Sequence, residues 1–161
     1  MTLIRSVLFG GAIFALAGLT SVAFSQGAPE APQVLQQRQA MMKAIGGNLK
    51  ALNEISKGER TESMQDVSRR AREVSEAAKQ ISVMFKPEFH TANVGSDLKT
   101  SASEKIWKEP EQFTASANRL ELASTQLAAA ADANDQEKMK LAIADMAKTC
   151  GGCHELYRVK K

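Results

Sequence analysis

The sequence predicts an all-α fold, an antiparallel four-helix bundle, on three observations. Along four separate stretches, apolar residues recur in steps of three and four, which places them on one face of a helix. No run alternates apolar and polar residues for long enough to make a strand. Helix-stopping or helix-starting residues, Gly58, Pro87 and Pro110, fall between the stretches. Four stretches of about 20 residues, each with one narrow apolar seam, bury those seams best against one another.

The first stretch follows a loose lead-in over residues 26–33, marked by Gly27, Pro29 and Pro32. Its seam is Val34, Met41, Ile45, Leu49, Leu52 and Ile55, and Gly58 stops it. The second runs from about Glu62 on Met64, Val67, Ala71, Val74, Ala78, Ile81 and Phe85, and Pro87 ends it. A third begins near Pro110, a residue suited to a first helical turn, with the seam Phe113, Ala117, Leu120, Ser124, Leu127 and Ala131. The fourth opens at Asn134 with Glu137 three residues on, the pattern of a capping box. Its seam is Met139, Ile143, Met146, Cys150, Cys153 and Tyr157. Residues 86–108 make a long connection for a compact domain, and such loops are usually functional or mobile. Phe89, Leu98, Ile106 and Trp107 give this one apolar surface to lay over the bundle end or over a group bound there.

The 161 residues fit one domain after a leader is set aside. Arg5 precedes an almost wholly apolar or small run from Val7 to Leu19, and Ala23-Phe24-Ser25 offers small residues where a signal peptidase reads. The run is short and broken by Gly10, Gly11 and Gly18, which argues against a permanent span. Residues 1–25 are therefore expected to be a cleaved signal peptide, with residues 26–161 as the mature domain, exported to the periplasm and not inserted in the membrane. Without Arg5 the mature chain has 20 Lys and Arg against 18 Asp and Glu. That balance excludes nucleic acid as a partner, because phosphate binding calls for a marked basic excess.

Export to an oxidising compartment normally turns two cysteines into a disulfide. Here Cys150-Gly151-Gly152-Cys153 is followed at once by His154, and exported Cys-x-x-Cys-His is the attachment signature of haem c. The chemistry needs two thiols that can add to two vinyl groups and an imidazole that can reach iron on the same side of the ring. On a helix, Cys150 and His154 stand one turn apart and share a face. A thioredoxin-type disulfide lacks the βαβ surroundings it needs, and a zinc site has only His90 left to draw on.

These residues resemble the cytochrome c-prime family, the class II c-type cytochromes, over essentially the whole mature chain. Arg38-Gln39-Ala40-Met41-Met42-Lys43, with Gly46-Gly47 beyond it, resembles that family's first-helix signature. Ile106-Trp107 resembles the segment before its third helix, and residues 149–158 resemble its haem end. The resemblance implies a four-helix bundle with one covalently bound haem c and His154 as proximal ligand. It also implies Arg38 near a haem propionate, where the alternative is a surface arginine that snorkels, and Arg158 close to the proximal face. It further implies redox partner proteins and a homodimer formed through the seams of the first two helices.

Family members divide by what faces the iron opposite the histidine. That position lies four residues after the first-helix arginine, which here is Met42. A thioether there makes a low-spin electron carrier and raises the reduction potential; a non-ligating side chain leaves a five-coordinate, high-spin haem that binds nitric oxide or carbon monoxide. Met41 and Met42 stand about 100° apart on a helix, so only one can point at the iron, and Met42 shares a face with Arg38 and Gly46. The alternatives are that both methionines fill the core, or that His90 ligates, although its loop position favours solvation. The expectation is an electron carrier with Met42 as distal ligand. It is not an enzyme, because the face beside Met42 offers no polar acid–base group.

Overall fold

A computed structural model describes residues 31–90 and 100–159. The proposed cleavage point after Ser25, together with Leu98, lies outside them. Five helices follow one another: α1 (Ala31–Ser56), α2 (Met64–Met84), α3 (Lys105–Lys108), α4 (Pro110–Asp132) and α5 (Gln136–Tyr157), with a 3-10 turn at Pro87–Phe89. The four long helices form the antiparallel four-helix bundle. Among the described residues the sole extended pairing is an isolated antiparallel bridge, Ala102 with Arg158.

The helix ends follow from local chemistry. Gly58 takes φ 76°, a left-handed conformation that costs glycine nothing, and the chain reverses there after α1. Ser63 caps α2 by accepting a hydrogen bond from the Asp66 amide at 3.1 Å. Pro110 occupies the first turn of α4. Pro32 lies within α1 rather than in a lead-in. The cap of α5 corrects the expected capping box by one residue. Asp135 is the N-cap, its carboxylate accepting from the Lys138 amide at 3.0 Å. Asn134 instead turns the chain at φ 54°, a conformation Asn tolerates better than most residues.

The seams pack as the periodicity requires. Leu52, Val67, Val74, Leu127, Ile143 and Met146 are buried to 1% exposure or less, each contributing about 1.5–3 kcal/mol on transfer from water. The helix α2 packs most extensively on α4, and α4 on α5, while α1 is the lightest-packed of the four. The seam of α4 is wider than one stripe, because Ser116, Ala123, Ala128 and Ala130 are buried too. Small residues there let α2 come close, and the buried hydroxyls are all bonded. Ser75 and Thr125 share a hydrogen bond of 3.1 Å, Ser68 donates to Asp132 at 2.6 Å, and Ser124 donates to the Leu120 carbonyl at 2.7 Å. The seams of α1 and α2 are consumed inside the chain.

Residues 86–90 and 100–108 close one end of the bundle. Ile106 is buried and Trp107 is half-buried against the core. The Ser103 amide donates to the Tyr157 carbonyl at 3.0 Å and the Val159 amide to the Ser101 carbonyl at 2.8 Å. This strap fixes the C-terminal end of α5 to the connection that precedes α4.

Candidate functional site

The helix α5 runs unbroken through Cys150, Gly151, Gly152, Cys153 and His154 to Tyr157. Its buried seam passes from Met139, Ile143 and Met146 to the two cysteines and on to Tyr157. Cys150 and Cys153 are half-buried against the core, and both are free thiols. Burial pushes both thiols up from their ordinary range, so at neutral pH they are protonated and weakly nucleophilic. A redox dithiol needs the opposite shift. Partial burial first, and the nearby Arg158 cation second, hold the His154 imidazole below its usual value, which favours the neutral form that ligates a metal.

A bound haem c fits these groups. Two thiols and an imidazole on one stretch of helix are its donor set. A Cβ added at Gly151 or Gly152 would meet nothing within 4 Å, so both glycines stand at the open, exposed side of the helix between the thiols. Among the described residues no three His, Cys, Asp or Glu gather as a site for a simple metal ion.

The neighbouring helix, α1, brings Arg38, Met41 and Met42 to the same core. Both methionines are half-buried against it, so burial alone does not separate them. Arg38 is 3% exposed, which excludes the snorkelling surface arginine. Its Nε donates to the Met84 carbonyl at 2.7 Å and its Nη2 to the Phe89 carbonyl at 2.9 Å. The guanidinium lies 4.1 Å over the Phe85 ring and 5.9 Å from the Trp107 ring. Burial lowers its pKa to about 10, and it stays cationic at neutral pH. A cation at the C-terminal end of α2 also complements that helix's dipole. Arg38 thus ties α1 to the end of α2 and to the 3-10 turn.

The aromatic residues at this end were visible in the seams but not as a group. Phe85 ends one seam, Phe113 begins another and Tyr157 ends a third; an antiparallel bundle must bring those three positions to one end. Phe113 lies 5.1 Å from Phe85 and 5.2 Å from Tyr157, both edge-on, and Trp107 joins them 6.2 Å from Phe85. His90 is not the solvated loop residue expected. Its ring centroid is 4.3 Å from that of Trp107 and its Nε2 is 2.8 Å from the Glu104 carboxylate, which leaves it half-buried and engaged. Arg158 caps α5 in an extended conformation and is exposed beside His154.

Comparison with known proteins places the chain. Residues 33–158 match the family model described as Cytochrome C'. A cytochrome c-556 of Agrobacterium tumefaciens (strain II Chrys) is 32% identical over 127 residues, 79% of this chain and 98% of that protein. A cytochrome c' of Pararhodospirillum photometricum is 33% identical over 130 residues, 81% of this chain and 98% of that protein. Among solved structures, ferric cytochrome c prime from Alcaligenes xylosoxidans superposes with a TM-score of 0.72 at 20% identity, covering 82% of this chain and 98% of that one. This last likeness shows the fold.

The two-carbonyl clamp at Arg38 is testable. In Arg38→Lys the charge stays, but one ammonium cannot reproduce the fork that spans two carbonyls. We expect a loss of roughly 1.5–3 kcal/mol, read as a lower denaturant midpoint of the haem-loaded protein at unchanged slope. An unchanged midpoint would contradict the clamp.

Proposed function

The chain belongs to the cytochrome c′ family and carries one covalent haem c, and on that premise we propose that it is a periplasmic electron carrier rather than an enzyme. In this reading Cys150 and Cys153 hold the haem through thioethers, His154 is the proximal iron ligand and Met42 the distal one. Arg38 and Arg158 are the cations nearest the bound group. The haem supplies reversible one-electron exchange at iron.

The observation that supports the reading best is a shared core. Met42 on α1 and the two thiols on the neighbouring helix α5 pack against one buried cluster. Met42 stands one turn from Arg38, whose backbone anchors fix the register of that part of α1. A rigidly held thioether favours electron transfer, since a ligand kept through both oxidation states leaves little to reorganise. Thioether ligation also favours the ferrous state.

Two experiments test this. Mass spectrometry of the exported protein should give a chain beginning at Gln26 with the mass of one haem added. Cys150→Ala with Cys153→Ala should remove the haem mass and leave the chain poorly folded, because the bundle loses a large apolar filling. Haem retained under denaturing conditions by that double variant refutes the thioether assignment, and a chain that still begins at Met1 refutes export with cleavage.

The second separates ligation from packing. Met42→Ala should convert a low-spin ferric spectrum to high-spin, open the reduced protein to carbon monoxide and lower the reduction potential. Met41→Ala should cost about 2–5 kcal/mol at most as a partly buried truncation and leave the spin state alone. If wild type is already high-spin and Met42→Ala changes nothing, the chain is instead a five-coordinate member that binds nitric oxide or carbon monoxide.

A further inference from the structure

Charge is spread unevenly along the bundle axis. Antiparallel topology puts residues 31–43, 75–90, 100–120 and 147–159 in the half that holds the thiols, and residues 44–74 and 121–146 in the other half. Among these described residues the thiol half carries nine Lys and Arg against six Asp and Glu, the far half eight against ten. Pairing sharpens the contrast. In the far half Arg60, Arg69, Arg70 and Arg72 all sit within ion-pair distance of carboxylates. In the thiol half Lys86, Lys108, Arg119 and Arg158 are exposed and enter no ion pair among the described residues.

Each of those four cations adjoins the aromatic cluster. Lys86 follows Phe85, and its carbonyl accepts the Trp107 indole N–H at 3.3 Å. Lys108 follows Trp107, and Arg158 follows Tyr157 and bridges to Ala102. Arg119 is close enough for its charge to act on Tyr157. Beside them stand two large apolar side chains that the fold leaves in water, Leu156 at 49% and Val159 at 54% exposure. Among the described residues the four cations outnumber the unpaired Glu88, Glu111 and Glu155. Exposed apolar groups set among such unpaired charges make a binding surface in which the apolar groups supply contact and the excess charge supplies steering.

We propose that this end of the bundle docks the acidic face of a partner protein, with Leu156 and Val159 at its centre and Lys86, Lys108, Arg119 and Arg158 as its rim. The proposal rests on the electron-carrier reading and adds where the partner sits and what charge it bears. Glu104, Glu109 and Glu155 are interleaved with the cations; a mixed pattern of this kind suits a protein with its own pattern of charges better than a uniformly anionic lipid surface.

The test is the oxidation of the reduced, haem-loaded protein in a stopped-flow instrument. Three oxidants are compared: hexacyanoferrate(III), a trianion; tris(phenanthroline)cobalt(III), a trication; and an oxidised blue-copper protein with a strongly acidic surface. Lys86→Glu with Lys108→Glu should slow the trianion and the acidic protein roughly tenfold at low salt and speed the trication. The difference should shrink as ionic strength brings the screening length to about 10 Å. Lys57→Glu with Lys140→Glu, the same charge change in the far half, should alter each rate less than about twofold. Leu156→Ser with Val159→Ser should slow the acidic protein alone. Equal effects from the two charge variants, or none from either, overturn the proposal. So does binding of wild type to phosphatidylglycerol vesicles that is lost in the Lys86/Lys108 variant while its rate with the acidic protein is unchanged; the surface would then face a membrane. A wild-type protein that none of the three oxidants oxidises overturns the electron-carrier reading itself, a different result from insensitivity to charge.

Discussion

One face of α5 has to serve two purposes, and the rest of the molecule is arranged around that constraint. Its first three turns bury Met139, Ile143 and Met146 in the bundle, and its last two present Cys150, Cys153 and His154. Because one helix cannot rotate its two halves independently, the register that buries Met146 also fixes where the thiols stand. Both ends of the helix are held. The Asp135 side chain caps the first turn, and the strap of residues 101–103 bonds the last carbonyl and the chain beyond it. Two glycines between the thiols cost about 1 kcal/mol each in helix propensity, yet α5 runs through them without a break.

The other wall is made differently. The α2–α4–α5 core packs through small residues and bonded hydroxyls, whereas α1 packs lightly. What holds the part of α1 that carries Met42 is Arg38, through two carbonyls at the end of α2 and two aromatic faces. A buried guanidinium is costly unless its donors are met. Here the helix end and the 3-10 turn supply acceptors that the backbone would otherwise leave open. The polar clamp thus adds to the seam of α1, which packs lightly, at the point where the helix passes the end of α2.

Most of the fold was legible because seam periodicity is a local signal. Phe113, Ala117, Leu120, Ser124, Leu127 and Ala131 are all buried, as their spacing requires. The haem c was legible as well, because the spacing of Cys150 and Cys153 and the histidine that follows have few other uses. The misses share a cause, which is that they depend on distant partners. Asn134 and Asp135 are both good caps by type, and only the path of the chain between α4 and α5 decides which one turns and which one caps. Arg38 gives no sign in the sequence that its partners are carbonyls 46 and 51 residues away. The solvated reading of His90 failed because Trp107 and Glu104 reach it from the far side of a long connection. The choice between Met41 and Met42 was open in the sequence, and both remain packed on the same core.

The proposed electron-carrier role therefore turns on one bond, from the Met42 sulfur to iron. It is tested most directly on the unaltered protein. The haem-loaded chain is reduced anaerobically at neutral pH, carbon monoxide is added, and the absorption spectrum is followed. With Met42 ligated, the ferric spectrum before reduction is low-spin and the ferrous spectrum does not change when the gas is added. A high-spin ferric spectrum, with an immediate shift of the ferrous Soret band under carbon monoxide, would contradict the account.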